Sequence, residues 1–441
     1  MLRLTVLLTL LWLPNLLIQW DKLGEFFVWR HQLIMLTGLL GLAYMSVAVL
    51  LVARFRWVEK MVNGLDQGYK LHKKLGIGAA VALLLHWLTV QSAKWMVGAG
   101  MIERPHRGPR AIVEGIQWRP IAEQVGELAF YVLLIFSVIS LVQAISYKKF
   151  KFTHKLGGAL MVAGIFHTLL LLDWTLVAIP QNMTIIALCL AGGVGSWLSL
   201  TGRIGRKNKA DGTVVEVKPF SSQARELNHN DAIRITIQLT SGILYREGQF
   251  AYLNFHDGES PHPFSILNYD PSTLRIEFGI KNLGDYTHDL VNTLAAEQGV
   301  TVEGGYGYFQ VPQSMHQIWV GAGIGIVPFI SRLYWLKAQS NDQVSRINKI
   351  HLFYCVQSKK EAFFNNEIIM LLRHLSFVEL HVVDAESGEF LDSTQVLESF
   401  KSESFEVSFC GPETFGDSLK SGLVEAGLPA NRFHQEAFKM R

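Results

Sequence analysis

Long apolar runs dominate the first 200 residues of the chain, and shorter runs follow them. A helix needs about 20 apolar residues to cross a bilayer. Six runs approach or exceed this length, and they lie near 3–20, 31–53, 73–92, 120–146, 155–178 and 182–200. No small-residue cleavage site follows Trp20, so the first run is interpreted as a helix and not as a signal peptide. The pattern predicts a transmembrane domain of six helices over residues 1–202.

The second half alternates short apolar runs with turns rich in Gly, Asn, Asp and Pro. Its first part predicts an antiparallel β-barrel over 208–312, with strands at 213–217, 232–239, 250–254 and 274–280. Beyond it, strand-like runs occur at 318–320, 350–354, 379–383 and 407–410. Helical runs separate them at 328–338, 361–373 and 413–426. This alternation predicts an α/β domain with a parallel sheet over residues 313–441.

Composition and charge narrow the classes of partner. Only 17% of the 441 residues are charged, against about 25% in a typical soluble domain. A net charge of +3 is too small to indicate a nucleic-acid partner. The three cysteines, Cys189, Cys355 and Cys410, lack disulfide or metal spacing, which favours a reducing compartment. The long apolar runs make a lipid bilayer the expected partner. No loop shows the alternating Asp/Asn pattern of a calcium site, so we expect no calcium.

Lys and Arg are distributed unevenly over the predicted loops. They concentrate in residues 54–74, in 147–155 and after the last apolar run, whereas the opposite loops carry fewer cations. Cytoplasmic loops of membrane proteins carry the excess of Lys and Arg. We therefore expect both termini and the soluble half on the cytoplasmic side of the membrane.

Four histidines lie within the apolar runs, where polar residues are costly and indicate function. His72 and His86 belong to the third run, and His154 and His167 belong to the fifth. The spacings of 14 and 13 residues correspond to about 20 Å of helix rise. Because these two helices run in the same direction, His72 is level with His154 and His86 with His167. Two stacked bis-histidine haems require this arrangement.

Two points about these histidines stay open. An isolated membrane histidine is commonly a hydrogen-bonded packing residue, although two matched pairs argue against that interpretation. On an ideal helix, His167 would also lie roughly 140° around the axis from His154. Either the helix is distorted near its glycines, or two haems approach it from different sides.

Two glycine-containing turns follow strands and precede helices in the last third of the chain. Such turns bring backbone N–H groups and a helix N-terminus close to a pyrophosphate, although ordinary tight turns also use glycine. The first turn contains Gly321, Gly323, Gly325 and Pro328. The second turn contains Cys410, Gly411 and Pro412. Both turns are candidate nucleotide-binding elements.

The whole pattern resembles the ferric reductase and NADPH oxidase superfamily. The paired histidines resemble its haem domain, and the two glycine turns resemble its pyridine nucleotide motifs. One segment resembles its flavin motif: His262, Pro263, Phe264, Ser265 and Ile266. Another resembles its second flavin segment: Lys281, Gly284, Asp285, Tyr286 and Thr287. The order of these motifs over about 400 residues makes the resemblance specific.

The resemblance implies roles for individual residues. Phe264 is expected against the isoalloxazine of FAD, and Ser265 near its reactive nitrogen. His262 stands where many soluble relatives have arginine, so Lys281 is the expected phosphate partner. Phe438 is expected to cover the flavin until nicotinamide displaces it, with a role as a core aromatic as the alternative. Ser265, Cys410 and Phe438 are the implied catalytic residues.

The implied activity is transmembrane electron transfer from cytoplasmic NADPH or NADH through FAD and two b-type haems. The external acceptor stays open between oxygen, ferric iron and quinone. A different class of protein is also open: a six-helix channel or transporter without haem, regulated by a nucleotide.

The loop after the second strand of the α/β domain bears on nucleotide choice. It contains Ser358, Lys359 and Lys360, whose hydroxyl and ammonium groups suit the 2′-phosphate of NADPH. Lysine lacks the bidentate fork of arginine, so the expected preference for NADPH is modest. The alternative is that Lys359 and Lys360 are an exposed surface pair.

Overall fold

The computed structural model describes residues 1–103, 115–141, 153–174, 179–220, 231–309, 312, 314–339, 346–400 and 404–437. The chain divides into two compact units. The first comprises Met1–Val62 and Gln67–Ile204, and the second comprises Asn63–Asp66 and Gly205–Arg441.

The first unit is helical. Its described helices are α1 (Leu2–Ile18), α2 (Phe26–Val52), α3 (Arg56–Met61), α4 (Leu65–Gly98), α5 (Trp118–Leu141), α6 (Leu156–Leu170) and α7 (Ile179–Leu200). Among the described residues, α2, α4, α5 and α7 are long and apolar enough to cross a membrane. The helices α1 and α6 are apolar but have only 17 and 15 residues. An apolar helical region is confirmed, and the count of six spans stays a prediction.

Small residues allow the helices of this unit to approach closely. A Cβ atom at Gly195 of α7 would lie 2.7 Å from a methyl group of Val49 on α2. Gly192, one turn earlier, lies in the same way against Met161 of α6 and Ser46 of α2. Helix packing in membranes depends on such small residues because lipid supplies no hydrophobic driving force between helices.

The second unit begins with a closed antiparallel barrel in the strand order β1–β2–β5–β4–β3–β6. Its strands are β1 (Lys209–Pro219), β2 (Ala232–Leu239), β3 (Phe250–Asn254), β4 (His262–Asp270), β5 (Arg275–Lys281) and β6 (Gly299–Tyr306), with α8 (Asp285–Thr293) between the last two. Alternate residues of β2 and β5 fill the interior, as in the fully buried pairs Ile235–Phe278 and Ile237–Ile276. The predicted barrel is confirmed, although the sequence pattern missed β4 and β6.

A five-stranded parallel sheet follows, in the order β11–β10–β7–β8–β9. Its strands are β7 (His316–Ala322), β8 (Lys349–Val356), β9 (Val378–Asp384), β10 (Glu406–Gly411) and β11 (Phe433–Ala437). Its helices are α9 (Val327–Ala338), α10 (Asn365–Leu372), α11 (Ser393–Glu398) and α12 (Glu413–Glu425). Buried apolar clusters cover both faces, as parallel sheets require.

The strand order reverses at β7. From β7 the chain moves to β8 and β9 on one side, and then returns to β10 and β11 on the other. Loops that follow β7 and β10 therefore diverge and leave a crevice at the carboxyl ends of these strands. Open α/β sheets bind their ligands at such a switch point.

Candidate functional site

The four histidines of the helical unit form two pairs, as the sequence predicts. The ring centroids of His72 and His154 are 5.7 Å apart, with the rings inclined at 65°. The centroids of His86 and His167 are 6.3 Å apart, with the rings inclined at 84°. Two metal–imidazole bonds of about 2 Å each would separate facing ring centroids by about 6 Å. Each pair therefore has the donor type and the spacing to hold one ion between its rings.

Backbone carbonyls on neighbouring helices orient three of these rings. His72 Nδ1 lies 2.8 Å from the carbonyl oxygen of Ala48, and His86 Nδ1 lies 3.1 Å from that of Ile34. His167 Nδ1 lies 2.8 Å from the carbonyl oxygen of Ala122. A carbonyl only accepts, so these Nδ1 atoms donate and each Nε2 keeps its lone pair. Metal-binding histidines are commonly fixed in this way.

The fourth histidine has a hydroxyl partner instead. His154 Nδ1 lies 3.4 Å from Ser140 Oγ of α5, and its ring stacks on Phe136 at a centroid distance of 5.1 Å. The helix α2 thus orients both histidines of α4, His72 and His86. The helix α5 contacts the other two, His154 and His167.

Two glycines leave room for the rings of the second pair. A Cβ atom at Gly38 of α2 would lie 3.2 Å from the ring of His86. At Gly126 of α5, a Cβ atom would overlap the ring of His167. The imidazoles approach the backbone of α2 and α5 as closely as a glycine permits.

The segment around His154 and His167 departs from one regular helix. Lys155 is a turn residue between His154 and the start of α6, although its φ of −60° and ψ of −25° are helical. The Gly158 N–H donates to the Lys155 carbonyl at 3.1 Å, which is a tighter turn than that of an α-helix. Both rings pair with histidines of α4 at a spacing of 13 residues.

A polar group beside the second pair was missed by the sequence argument. The Glu127 carboxylate accepts hydrogen bonds from the Gln91 amide at 3.1 Å and from the Tyr131 hydroxyl at 3.1 Å. Glu127 adjoins Gly126, and Gln91 follows His86 by five residues on α4. A carboxyl residue within an apolar run was the available signal, because ionisable residues in membrane segments are functional by default.

The segment that resembles a flavin motif forms the start of β4. The ring of His262 stacks on that of Tyr286, with centroids 4.0 Å apart and a 14° angle. The Tyr286 hydroxyl donates to Asp257 at 3.0 Å, and burial raises the pKa of this phenol, so it stays protonated. Ser265 is buried opposite Phe250 of β3. The remaining members, Pro263, Phe264 and Ile266, lie on the same strand.

The segment from Gly284 to Thr287 forms the N-terminus of α8. The Thr287 hydroxyl accepts from the backbone N–H groups of Leu283 at 2.9 Å and Gly284 at 3.0 Å, which fixes this turn. Asp285 is the first residue of the helix. Lys281 lies nearby in sequence at the end of β5, but its ammonium donates to Glu361 at 2.6 Å. A phosphate role for Lys281 would therefore require exchange of this ion pair.

The two glycine turns meet at the switch point. Gly321, the second-last residue of β7, lies opposite Cys410 of β10, and Gly323 adopts a φ of +55°, which favours glycine. Gly325 lies against the backbone of Cys410, so closely that a Cβ atom would overlap it. Gly411 is equally confined, because its Cβ atom would lie 2.7 Å from that of Ala322. The turns form one compact edge.

The start of the following helix differs slightly from the prediction. Gly323–Ile326 form a short 3₁₀ turn, and α9 begins at Val327 with Pro328 as its second residue. Pro412 similarly precedes α12 as its N-cap.

Cys410 lies fully inside the core beneath these turns. Burial, together with the neighbouring carboxylate of Glu436, raises the pKa of its thiol well above the usual value. The side chain is therefore a neutral thiol at physiological pH and not a thiolate nucleophile. Phe438, the third predicted catalytic residue, lies outside the described residues.

The loop after β8 contains an acidic neighbour that the sequence argument missed. The Ser358 hydroxyl donates to the Glu386 carboxylate at 2.5 Å, and Glu386 N–H donates to the carbonyl of Gln357 at 2.9 Å. Lys359 begins a short 3₁₀ turn in the same loop. Glu386 is distant in sequence, so only the pairing of β8 with β9 brings it here.

Comparison with known proteins finds a family model and several relatives that match parts of this chain. The family model described as "ferric reductase like transmembrane component" matches residues 37–165, which include His72, His86 and His154. Mouse NADPH oxidase 1 is 30% identical over 114 residues, covering 24% of this chain and 19% of that protein. The gamma subunit of Pyrococcus furiosus sulfhydrogenase 2 is 23% identical over 245 residues, covering 51% of this chain and 81% of that subunit.

These matches support the resemblance to the ferric reductase and NADPH oxidase superfamily, with the family model itself matching residues 37–165. These matches support a membrane NAD(P)H oxidoreductase. A solved structure also resembles the chain: flavohemoglobin from Malassezia yamatoensis covers 93% of it and 99% of its own length, with 15% identity and a TM-score of 0.47.

Proposed function

We propose that this protein transfers electrons across a membrane from NADPH or NADH, through FAD and two b-type haems, to an external acceptor. The proposal depends on one observation: two pairs of neighbouring histidine rings, His72 with His154 and His86 with His167. The match of residues 37–165 to the ferric reductase like transmembrane component and the reductase-like second half support it. When bound, FAD converts a two-electron hydride into single electrons, and haem passes single electrons on.

The histidines would hold the two haems through their Nε2 atoms. Hydrogen bonds from Nδ1 to Ala48, Ile34 and Ala122 keep three imidazoles in the ligating tautomer. Carbonyl acceptors also increase the basicity of the ligating nitrogen. Fixed rings of this kind need little rearrangement when an iron between them changes its charge.

The barrel would bind FAD through β4 and α8. Phe264 and Ser265 would contact the isoalloxazine, with Pro263 and Ile266 shaping the strand. The N-terminus of α8, from Gly284 to Thr287, would face the pyrophosphate, because its N–H groups and dipole favour an anion. His262 stacked on Tyr286 would flank the bound cofactor, and Lys281 would reach a phosphate after release from Glu361.

The switch point would bind the nicotinamide nucleotide. Gly321, Gly323 and Gly325 would admit the pyrophosphate next to α9 and Pro328. Cys410, Gly411 and Pro412 would form the turn that borders the nicotinamide, with the buried neutral thiol of Cys410 packed beneath that turn. Ser358 and Lys359 would meet the ribose substituent, and Phe438 would cover the flavin.

The acceptor would react beside the second histidine pair. The acceptors consistent with the proposal are oxygen, ferric iron and quinone. Gln91, Glu127 and Tyr131 form a hydrogen-bonded polar group there, which could deliver a proton or bind a cation. Because the Lys/Arg-rich loops favour the cytoplasmic side, both termini and the second unit would lie in the cytoplasm and the acceptor outside, in a bacterial inner membrane. The domains would extend over 1–202, 208–312 and 313–441.

The histidine pairing predicts selective loss of haem. His86→Ala and His167→Ala should each remove one of two haems per chain, because each removes one ligand of the same pair. His31→Ala removes an exposed histidine of α2 that belongs to neither pair and serves as the control. Haem content and visible absorption of the purified full chain measure the effect. Retention of two haems in His86→Ala would show that the pairing is wrong.

The close approach at α5 predicts a second haem phenotype. Gly126→Ala should displace the ring of His167 and lower haem content from two towards one per chain. Gly164→Ala is the matched control, because a Cβ atom there meets no atom within 4 Å. Haem content is again the measurement, and equal content in both variants would contradict the ligand role of His167.

The second half should bind FAD without the helical unit. A fragment of residues 208–441 contains both predicted flavin segments and both glycine turns. It should fold, bind FAD and reduce a soluble dye with NADPH or NADH, as followed by flavin absorption and dye bleaching. A folded, soluble fragment that binds no FAD would contradict the assignment of the barrel.

The loop after β8 predicts how the protein discriminates its nucleotides. Wild type should prefer NADPH modestly, and the double variant Lys359→Ala, Lys360→Ala should lose this preference. Glu386→Gln should increase kcat/KM for NADPH relative to NADH, because it removes a carboxylate beside the expected 2′-phosphate. The exposed Glu398→Gln is the charge-matched control. Equal changes for both nucleotides, or a wild type that prefers NADH, would contradict this assignment.

A further inference from the structure

Three metal-binding side chains meet on β8 and β9, outside the site described above. His351 Nδ1 lies 2.9 Å from His381 Nε2. The Glu379 carboxylate oxygens lie 3.9 Å from His351 Nδ1 and 3.8 Å from His381 Nε2. The strand register explains the grouping, because His351 is opposite Glu379 and both histidines point to the same face of the parallel sheet.

The three donor atoms have the spacing of a tetrahedral metal site. Ligands at about 2.0–2.1 Å from a tetrahedral ion lie about 3.3 Å from one another. The two imidazole nitrogens are 2.9 Å apart, and one Glu379 oxygen lies 3.9 Å from His351 Nδ1 while the other lies 3.8 Å from His381 Nε2. To bind an ion, the imidazoles would move apart slightly and the carboxylate would move closer. One ligand position would stay open to water.

The surroundings keep the two imidazoles in place and neutral. His351 packs edge-on against Phe400 at 4.8 Å, and His381 stacks on Phe353 at 4.7 Å. Burial lowers the pKa of both histidines, so both are uncharged at neutral pH. Ion binding requires the proton of His351 on Nε2 and that of His381 on Nδ1, so the ring that now donates in their hydrogen bond changes its tautomer and not its charge.

The charged groups around the three donors balance. Glu379 supplies one negative charge, and Lys349 donates to it at 2.7 Å. The Lys349 side chain is 39% exposed, so it can turn into solvent when an ion replaces it. Glu379 is 48% and His381 32% exposed, which leaves an entry path for a hydrated ion.

The group is separate from the switch point. His351 precedes the carboxyl end of β8 by five residues, which corresponds to about 16 Å along the strand. The nucleotide-binding turns lie at the carboxyl ends of β7 and β10. An ion held here would not touch a nucleotide bound at that edge.

We propose that His351, Glu379 and His381 form a binding site for one divalent transition metal ion, with Zn²⁺ as the preferred ion, that ties β8 to the edge strand β9. Two imidazoles and one carboxylate are a typical zinc donor set, and imidazole excludes the hard ions Mg²⁺ and Ca²⁺. The ion crosslinks neighbouring strands and stabilises the folded sheet by mass action.

Zn²⁺ binding by the full chain tests this site directly. The protein is purified in detergent without a histidine tag, stripped with chelator and titrated with Zn²⁺ by equilibrium dialysis. Wild type should bind one equivalent more than His381→Gln and Glu379→Gln, or bind that equivalent at least about tenfold more tightly. The exposed His374→Gln is the matched control and should bind as wild type does. Circular dichroism checks that each variant is folded.

Thermal unfolding distinguishes binding at this site from Zn²⁺ adsorbed elsewhere on the surface, because adsorbed Zn²⁺ would affect the Tm of all variants alike. Zn²⁺ should raise the Tm of wild type and His374→Gln but not that of His381→Gln. Lys349→Gln should bind Zn²⁺ more tightly than wild type, because it removes the cation that competes for Glu379. Equal Zn²⁺ binding by wild type, His381→Gln and Glu379→Gln would overturn the proposal. An equal loss in His374→Gln would overturn it as well. Neither result bears on haem or flavin content.

Discussion

An imidazole N–H inside an apolar helical bundle has no water to bond with, and the helical unit is arranged around this constraint. Each unsatisfied polar group in an apolar environment would cost several kcal/mol, on the order of 4 to 8 for transfer from water to hydrocarbon. Carbonyl oxygens of Ile34, Ala48 and Ala122 resolve the constraint for three histidines. The same hydrogen bonds fix which nitrogen faces the partner ring. One hydrogen bond therefore satisfies the Nδ1 donor and leaves Nε2 free for the ligand role that we propose.

This solution also explains two features of the neighbouring helices. The helices α2 and α5 must approach α4 and α6 closely enough for their carbonyls to reach the rings, and Gly38 and Gly126 supply the space. These two glycines make room for imidazole rings, in addition to the general role of small residues in the packing of membrane helices. The polar trio around Glu127 follows the same logic, because its carboxylate is satisfied by Gln91 and Tyr131.

In the second unit, the order and pairing of the strands bring the candidate site residues together, whereas hydrogen bonds orient the histidines of the first unit. Chain reversal at β7 brings two glycine turns together that are about 85 residues apart in sequence. Parallel pairing of β8 with β9 likewise joins Ser358 to Glu386 at one end and His351 to Glu379 and His381 near the other. The edge strand β9 and the turn after it thus carry both the carboxylate that we propose to bear on nucleotide choice and the candidate metal site.

The sequence predicted what depends on local pattern. The periodicity predicted both ends of β2 and of β3 correctly, and it predicted both domain types of the second half. It could do so because the burial of a strand depends on the pattern of neighbouring residues in the sequence. It missed β4, in which Pro263 interrupts the strand pattern, and β6, which is rich in glycine. It left open how His154 and His167 can both face α4 at a spacing of 13 residues, and the structure has a turn residue, Lys155, just after His154.

Residues brought together by strand pairing were beyond the reach of a local pattern. The Glu386 carboxylate and the group of His351, Glu379 and His381 become visible only when the register of β8 and β9 is known. The pairing of the membrane histidines was predictable because their spacing along two helices carries the information.

Anaerobic reduction of the purified full chain by a nicotinamide nucleotide tests the central claim most directly. NADPH or NADH is added to the oxidised, haem- and flavin-loaded protein, and the visible spectrum is followed. The account predicts that flavin absorption bleaches and that the sharp bands of reduced bis-histidine haem then appear. Haem bands that respond to dithionite but not to either nucleotide would contradict electron transfer through this chain.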